Sequence, residues 1–571
     1  MGSFPRPIRF ALLLAGGLLF SFFGYSQKKT VVLSADSLQA RQRIGFLVDS
    51  LQNEGHLEAS MDQWNYDPGD STYLARLHLG PVYEWRQLEL GQLPAAMQVL
   101  AQDRLAPRAG KALRLADWQA LRERLLRYAE DHGYPFARIR LEISSIEQQA
   151  VRAKVIFDSG DQILLDSLEI IGDTRLDPFY VQSYLGLKPG NLFSQQELEA
   201  ADRRLRELSF LKIDQGPDLR FSDQRVQPVF YLSDQRASRF DFIIGVLPNS
   251  QQTGRLLVTA DLEAELRNAF GKGERIYGHF EQLRPATQEL ELALDYPYLF
   301  RLPFGTRFDF GLYKRDSSFL DLDWEVGLQY LMRGGNYIQF FWQQQQSNLL
   351  SIDRRRIEQQ QALPNRLDLR QQLFGLGYAW QNFDYRFNPR RGWQIELSVA
   401  IGNKRIRRNA SIEELGFGFL YDSLNTNQLQ GRMELKLARH FPLFQSSSLR
   451  IAANSGFIFS EARIYQNEQF RLGGNQLLRG FDEEFFFAQQ YAVGTLEYRL
   501  LISQNSFLFT FFDGAWLKDA EQTQYPFGFG AGISLETSGG LFGLSLAYGK
   551  SGAAALDLTS PKVHFGYVSL F

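Results

Sequence analysis

Beyond Ser238 the chain alternates apolar and polar residues with a period of two. In residues 289–296, Leu290, Leu292, Leu294 and Tyr296 alternate with Glu289, Glu291, Ala293 and Asp295. In residues 495–502, Leu496, Tyr498, Leu500 and Ile502 alternate with Thr495, Glu497, Arg499 and Leu501, and residues 562–571 repeat the rhythm. Such alternation predicts strands with one apolar and one polar face. Sixteen segments can be counted, centred near Phe242, Val258, Tyr277, Leu292, Phe308, Val326, Phe340, Leu376, Leu397, Leu435, Ala453, Leu496, Phe509, Gly530, Leu544 and Gly566. Connections near 301–302, 335, 444–446, 504 and 539 are tight, whereas 351–369, 405–427 and 461–489 are long. An even strand count with short turns on one side and long loops on the other predicts a transmembrane β-barrel of about 16 antiparallel strands.

Residues 28–236 follow a different rhythm, with a faint repeat. Gly80, Leu88 and Glu89 recur at Gly160, Leu168 and Glu169, and residues 55–59 echo residues 133–137. Each unit reads as a strand, a helical stretch and two further strands. In the middle unit Trp118, Leu121, Leu125 and Tyr128 form one helical face, with Gly133 placed to end the helix. In the next, residues 194–197 (Ser-Gln-Gln-Glu) read as a capping box opening a helix over 198–208.

Residues 1–26 carry the marks of a secretory signal peptide. Arg6 and Arg9 precede an apolar run over 10–23, and Gly24 and Ser26 are small residues at the expected cleavage site. The apolar run falls short of the ~20 residues needed to span a bilayer as a helix. With 62 basic against 64 acidic residues the net charge is −2, which gives no support for phosphate-driven nucleic-acid binding. The absence of cysteine excludes disulfides, thiolate metal sites and cysteine nucleophiles. The six histidines are dispersed, with no zinc-helix spacing, and residues 528–532 (Gly-Phe-Gly-Ala-Gly) lack the Lys-Ser/Thr of a phosphate loop. We therefore expect no enzyme, no catalytic residue, no metal and no cofactor.

The strand-helix-helix-strand-strand unit resembles the polypeptide-transport-associated (POTRA) domain, over residues 83–158 and 164–232. The resemblance implies a signal peptide (1–26), a shortened POTRA-like module (27–79), two further POTRA-like modules (80–158 and 159–236) and an outer-membrane β-barrel of surface-antigen type (237–571). An open sheet edge in such a module suits the capture of an unfolded chain. Residues 470–482 (Phe-Arg-Leu-Gly-Gly-Asn-Gln-Leu-Leu-Arg-Gly-Phe-Asp) lie between the eleventh and twelfth strands. They resemble the lumenal-loop motif of the BamA/TamA outer-membrane assembly family, here Gly473, Gly474, Arg479, Gly480 and Phe481. The likeness implies that Arg479 meets Asp513 of the Phe-Phe-Asp-Gly stretch at 511–514 inside the barrel. Glu497 is a second candidate partner by its strand face. Residues 388–392 (Asn-Pro-Arg-Arg-Gly) resemble the family's mid-barrel turn.

The mechanism implied is insertion through a lateral seam between the first and last strands, residues 239–246 against 563–571, with Phe242, Ile244, Phe565, Tyr567 and Phe571 on it. Gly543, Gly549 and Gly566 are compatible with a labile seam. The expected partners are unfolded outer-membrane or secreted polypeptides, outer-membrane lipid and a periplasm-spanning protein, with no nucleic acid. The expected location is the outer membrane of a Gram-negative-type bacterium, with the modules in the periplasm. The length favours the TamA-like branch; the alternative is a two-partner secretion transporter exporting one dedicated substrate. A passive porin would not need the modules.

Overall fold

A computed structural model describes residues 28–569, apart from 34–36, 68–71, 103–108, 236, 248–256, 285–286, 316–317, 386–387, 475–476, 483, 521, 538–539, 553–555 and 557–560, and also residues 13–14 and 18–19. The expected signal peptide therefore lies almost wholly outside the described residues. Two compact units emerge, one of residues 1–166, 189–199 and 221–226, the other of 167–188, 200–220 and 227–571.

The first unit begins with β1 (Lys28–Leu33), α1 (Ser37–Asn53), β2 (Ser60–Asp67) and β3 (Thr72–His78). Its sheet has the order β1-β3-β2 and is antiparallel throughout. Ile44 of the helix packs on Ala75 and Leu77. The next module has β4 (Glu84–Glu89), α2 (Ala95–Ala101), α3 (Leu115–Asp131), β5 (Arg138–Glu147) and β6 (Ala150–Asp158), with order β4-β6-β5 and β4 parallel to β6. Trp118, Leu121 and Leu125 of α3 are buried against Met97, Ile139 and Val155, because their spacing brings them to one helical face. Gly133, just beyond the helix, takes φ +91°, a conformation glycine adopts without steric cost. So the second module carries two helices and a parallel first strand, whereas the first has one helix and an antiparallel one.

The third module is built from β7 (Leu164–Leu165), β8 (Glu169–Ile171), α4 (Pro178–Leu185), α5 (Gln195–Arg206), β9 (Leu211–Ser222) and β10 (Arg225–Asp234). β10 lies between β8 and β9, and both β7 and β8 run parallel to it. At the start of α5, the Glu197 N–H donates to Ser194 Oγ at 3.2 Å. Asp131, the last residue of α3, accepts from the Gln196 N–H at 2.8 Å, so two side chains satisfy the open helix end.

The remaining strands form one antiparallel sheet. They are β11 (Arg239–Leu247), β12 (Leu257–Arg267), β13 (Arg275–Arg284), β14 (Thr287–Tyr296), β15 (Phe304–Arg315), β16 (Phe319–Leu331), β17 (Tyr337–Leu349), β18 (Leu369–Gln381), β19 (Gly392–Ile406), β20 (Asn427–Phe444) and β21 (Ser447–Ser460). A loop with two short strands of its own, β22 (Phe470–Leu472) and β23 (Phe486–Ala488), interrupts the meander. It resumes with β24 (Gln490–Leu501), β25 (Phe507–Lys518), β26 (Thr523–Gln524), β27 (Phe527–Thr537), β28 (Gly540–Lys550) and β29 (Lys562–Ser569). Among the described residues seventeen strands share the sheet. β26 and β27 both pair with β25, end to end, so they are pieces of one stave and the barrel has sixteen. Each of the sixteen centres read from the sequence falls in its own stave.

The alternation sets the two faces. On β16, Asp321 and Gln329 are buried inward while Trp324, Val326, Leu328 and Tyr330 are exposed outward. On β24, Thr495 and Glu497 point in, and Leu496, Tyr498 and Leu500 point out. The lumen retains a cavity of 380 Å³ lined by residues including Arg307, Asp309, Glu325, Tyr337, Gln339 and Glu434. Among the described residues no helix is long and apolar enough to cross a membrane. The sheet runs from β11 to β29, and among the described residues no ladder joins these two ends.

Helix α4 seats against the turns at one end of the barrel. Asp177, which caps α4 through the Phe179 N–H at 2.9 Å, also accepts from Lys272 Nζ at 2.8 Å, and Arg301 lies 3.5 Å away. The Tyr180 ring meets Tyr298 edge-on at 5.5 Å, and a Cβ on Gly273 would overlap Tyr180. Burial pushes the Asp177 carboxyl up. The Lys272 ammonium, the Phe179 N–H and Arg301 outweigh it and hold the group below its ordinary value. A carboxylate with a depressed folded-state pKa stabilises at pH above its unfolded value, and that stabilisation is lost as pH falls through the depressed one. Protection of residues 178–185 against hydrogen exchange, taken relative to free amides at each pH, should therefore fall on acidification below the usual carboxylate range. Asp177→Asn should exchange fast at neutral pH and lose most of that acid dependence.

Candidate functional site

The loop over 461–489 leaves β21, the eleventh stave, and returns to β24, the twelfth. Its stem is the β22–β23 ladder, pairing Phe470 with Ala488 and Leu472 with Phe486. Phe470, Leu472, Leu478, Phe481 and Phe486 pack with Ile458, Tyr491, Val493 and Leu517 of the wall into one apolar cluster. Two ion pairs anchor the stem. Lys404 of β19 and Glu468 are both fully buried, 2.9 Å apart, and Lys404 also donates to the Arg463 carbonyl at 2.9 Å. Arg471 reaches Asp321 on β16 at 2.9 Å and Glu484 at 3.0 Å. Breaking either buried partner would strand a charge without compensation.

Arg479 sits at the tip. Its Nε and Nη2 donate to the two oxygens of Asp513 at 2.7 and 2.8 Å, a bidentate pair. Its backbone N–H donates to Asp513 Oδ2 at 3.2 Å, and Nη1 donates to Glu497 Oε2 at 2.7 Å. The guanidinium also lies 3.5 Å from the centroid of Phe511. Asp513 is 1 % exposed, and the Arg479 side chain 10 %. Glu497 accepts in addition from Arg499 Nε at 2.9 Å. Arg499 in turn donates to Asn388 Oδ1 at 3.1 Å, in the turn between β18 and β19. Two carboxylates thus hold the guanidinium groups of Arg479 and Arg499, and Arg450 stands opposite Glu497 in the ladder.

The tip continues across the last staves. Gly480 takes φ +95° and donates its N–H to His564 Nε2 of β29 at 3.2 Å. A Cβ on Gly480 would strike the backbone of Tyr548 and Gly549 in β28, and one on Gly528 of β27 would fall on the Arg479 carbonyl. Asp482 bonds Lys562 of β29 at 2.8 Å. One loop therefore touches all five final staves: Glu497 on the twelfth, Asp513 on the thirteenth, Gly528, Gly549, and His564 with Lys562 on the sixteenth.

Of the residues singled out in the sequence, Gly473, Gly474, Arg479, Gly480, Phe481, Asp513 and Glu497 come together here, with Gly473 and Gly474 at positive φ in the turn. Asn475 and Gln476 lie outside the described residues. Phe242 and Ile244 lie in β11, opposite Leu262 and Ala260, and Phe565 and Tyr567 lie in β29, opposite Leu544 and Phe542. Phe571 lies outside the described residues. Gly549 has a close-packing role at the loop tip. Arg499, Asn388, His564 and Gly528 complete the site and were not anticipated. The signal for Arg499 was present, since it shares an inward strand face with Glu497.

The Omp85 superfamily domain matches residues 268–568, just over half of the chain. The chain belongs to the Omp85 superfamily. Among solved structures it resembles BamA from Haemophilus ducreyi lacking POTRA domains 1–3, at 12% identity, covering 85% of this chain and 98% of that one with a TM-score of 0.45. It also resembles CdiB from Acinetobacter baumannii (11% identity, 92% and 96% covered, TM-score 0.46) and CdiB from Escherichia coli (13% identity, 92% and 96% covered, TM-score 0.44). No curated protein matches the sequence. Omp85 proteins insert or translocate polypeptides at membranes, and the loop described above lies within the matched region.

Removing Arg479 would strip Asp513 of its bidentate partner and leave Glu497 with Arg499 alone among its hydrogen-bonded partners. Arg479→Ala in this Omp85 barrel should cost about 3–5 kcal/mol, read as a lower unfolding temperature of the detergent-solubilised protein. Arg479→Lys should recover only part of this, since an ammonium cannot fork across one carboxylate. Gly528→Ala should destabilise the same loop without touching a charge.

Proposed function

We propose that this protein receives unfolded polypeptides through its N-terminal modules and inserts β-barrel or autotransporter-like proteins into the outer membrane of a Gram-negative-type bacterium. The modules then lie in the periplasm. The observation that carries this reading is the asymmetry of the barrel. Its last five staves are tied together by one buried loop, while among the described residues no ladder joins β11 to β29. Unpaired backbone groups facing lipid are costly, so an incoming strand that pairs with either edge is strongly favoured. In the final hairpin Gly543 lies directly opposite Gly566, so the terminal strand β29 is held to β28 there without a side-chain pair. The loop carrying Arg479 braces the wall while the edge exchanges partners.

Capture upstream follows the same physics. β5 is an edge strand of the second module and exposes Ile143 and Ile146 beside its free backbone groups. An extended client can add to it with little sequence demand. No catalytic group or energy cofactor is needed, because the free energy released as the client folds into lipid drives the step.

Depletion of the protein, followed by quantification of folded outer-membrane barrels and secreted proteins, tests the reading. Several unrelated barrels should fall together, and an Arg479→Ala copy should restore them only in part. Loss of a single exported protein, with all other barrels intact, would contradict the proposal and identify a dedicated transporter.

A further inference from the structure

At the end of the barrel away from α4, the outward face of the eighth and ninth staves changes character. Phe374 and Leu376 on β18, and Val399 and Ile401 on β19, are exposed outward. Continuing at period two, the same face of β18 reaches Gln372 and then Arg370, and that of β19 reaches Asn403 and then Arg405. Arg370 and Arg405 are both exposed and stand directly opposite each other in the ladder. Like charges so placed repel and destabilise the pairing. Arg370 donates through Nε at 3.1 Å, and through Nη2, to Gln344 Oε1, which also accepts from Gln372 at 3.0 Å. Among the described residues no carboxylate pairs with either arginine.

Their height on the barrel is informative. The apolar run on the outer face of β19, from Trp393 to Ile401, covers about 27 Å along the strand, or about 20 Å along the membrane normal after a typical tilt. Arg405 lies just beyond it, where headgroups begin. At the opposite border, Arg439 is covered by the rings of Trp393 and Phe441, each at 4.3 Å. Among the described residues no ring covers Arg370 or Arg405. Two guanidinium groups side by side, no acid between them and an apolar wall directly below match a phosphate carried on acyl chains. Arg405 can present two parallel N–H groups to it, while Arg370, whose Nε and Nη2 face Gln344, adds its Nη1.

We propose that Arg370 and Arg405 bind the phosphate of an anionic lipid headgroup, not the choline-neutralised phosphate of a zwitterionic one, in the leaflet away from α4. Gln344 holds Arg370 in place, and the lipid phosphate neutralises a charge pair that the ladder otherwise tolerates poorly. The site depends only on the barrel being in a membrane, and it stands whether or not the chain inserts clients.

The full chain, reconstituted in phosphatidylcholine vesicles with or without lipid A, tests this. Unfolding temperature is followed, and lipid carried through detergent extraction is detected by native mass spectrometry. Lipid A should raise the unfolding temperature and remain bound, whereas lipid A stripped of its phosphates should do neither. The variant Arg370→Gln/Arg405→Gln should lose both effects, yet in pure phosphatidylcholine it should unfold no lower than the wild type, because a repulsion has been removed. The single variant Arg405→Gln should show a partial loss and serves if the double variant does not fold. Equal retention by the variants, equal retention of dephosphorylated lipid A, or the same shift from inorganic phosphate alone would overturn the proposal.

Discussion

A guanidinium carried into a protein interior on a loop must find carboxylates there, or the loop will not stay. Arg479 finds two, from adjacent staves, with a bidentate grip on Asp513 and a single strong bond to Glu497. The cost of desolvating these charges is large, and it is offset by the bidentate and single hydrogen bonds the two carboxylates accept. Such an arrangement gives position more than net stability. It fixes where the tip lies, and the tip fixes the rest: Gly480 can reach His564 and the backbone of β28 only because Arg479 is held. The apolar cluster around Phe481 and Leu478 then seals the same joint.

This constraint divides the barrel wall unequally. Hydrogen-bonded ladders join neighbouring staves all along the sheet, but the final five also share a lumenal strut. At its base the strut reaches the other wall through Arg471 and Asp321, and through Lys404 and Glu468. A wall stiffened in this way can leave its two terminal edges weakly joined without collapsing. Omp85 membership and the strut are consistent parts of one account, in which strand exchange at an edge replaces an energy source.

Much of this could be read along the chain. Strand alternation is local, so all sixteen staves were countable, and the count placed the loop between the eleventh and twelfth. The resemblance singled out Arg479 and Asp513, and the two side chains meet. What could not be read was what depends on register between distant staves. Gly528 belonged to a glycine-rich stretch recognisable only as not a phosphate loop, and Gly549 looked merely like a strand-weakening residue. Both matter because a loop some distance away in sequence presses its backbone on them. His564 escaped notice for the same reason, as an isolated polar residue whose partner comes from elsewhere in the fold, and Asn388 was legible only as part of a turn, not as the acceptor for Arg499. The split of one stave into β26 and β27 around Tyr525 and Pro526 was also invisible to periodicity.

In the proposed mechanism clients enter through the edge between β11 and β29 while the loop holds the remaining wall. Because the native chain has no cysteine, a single engineered disulfide linking these two staves can be made without interference. The most direct measurement is client-barrel insertion into vesicles containing this variant, before and after reduction. The oxidised protein should insert almost nothing, and reduction should restore wild-type yield. Equal insertion by the oxidised and reduced forms would contradict this mechanism.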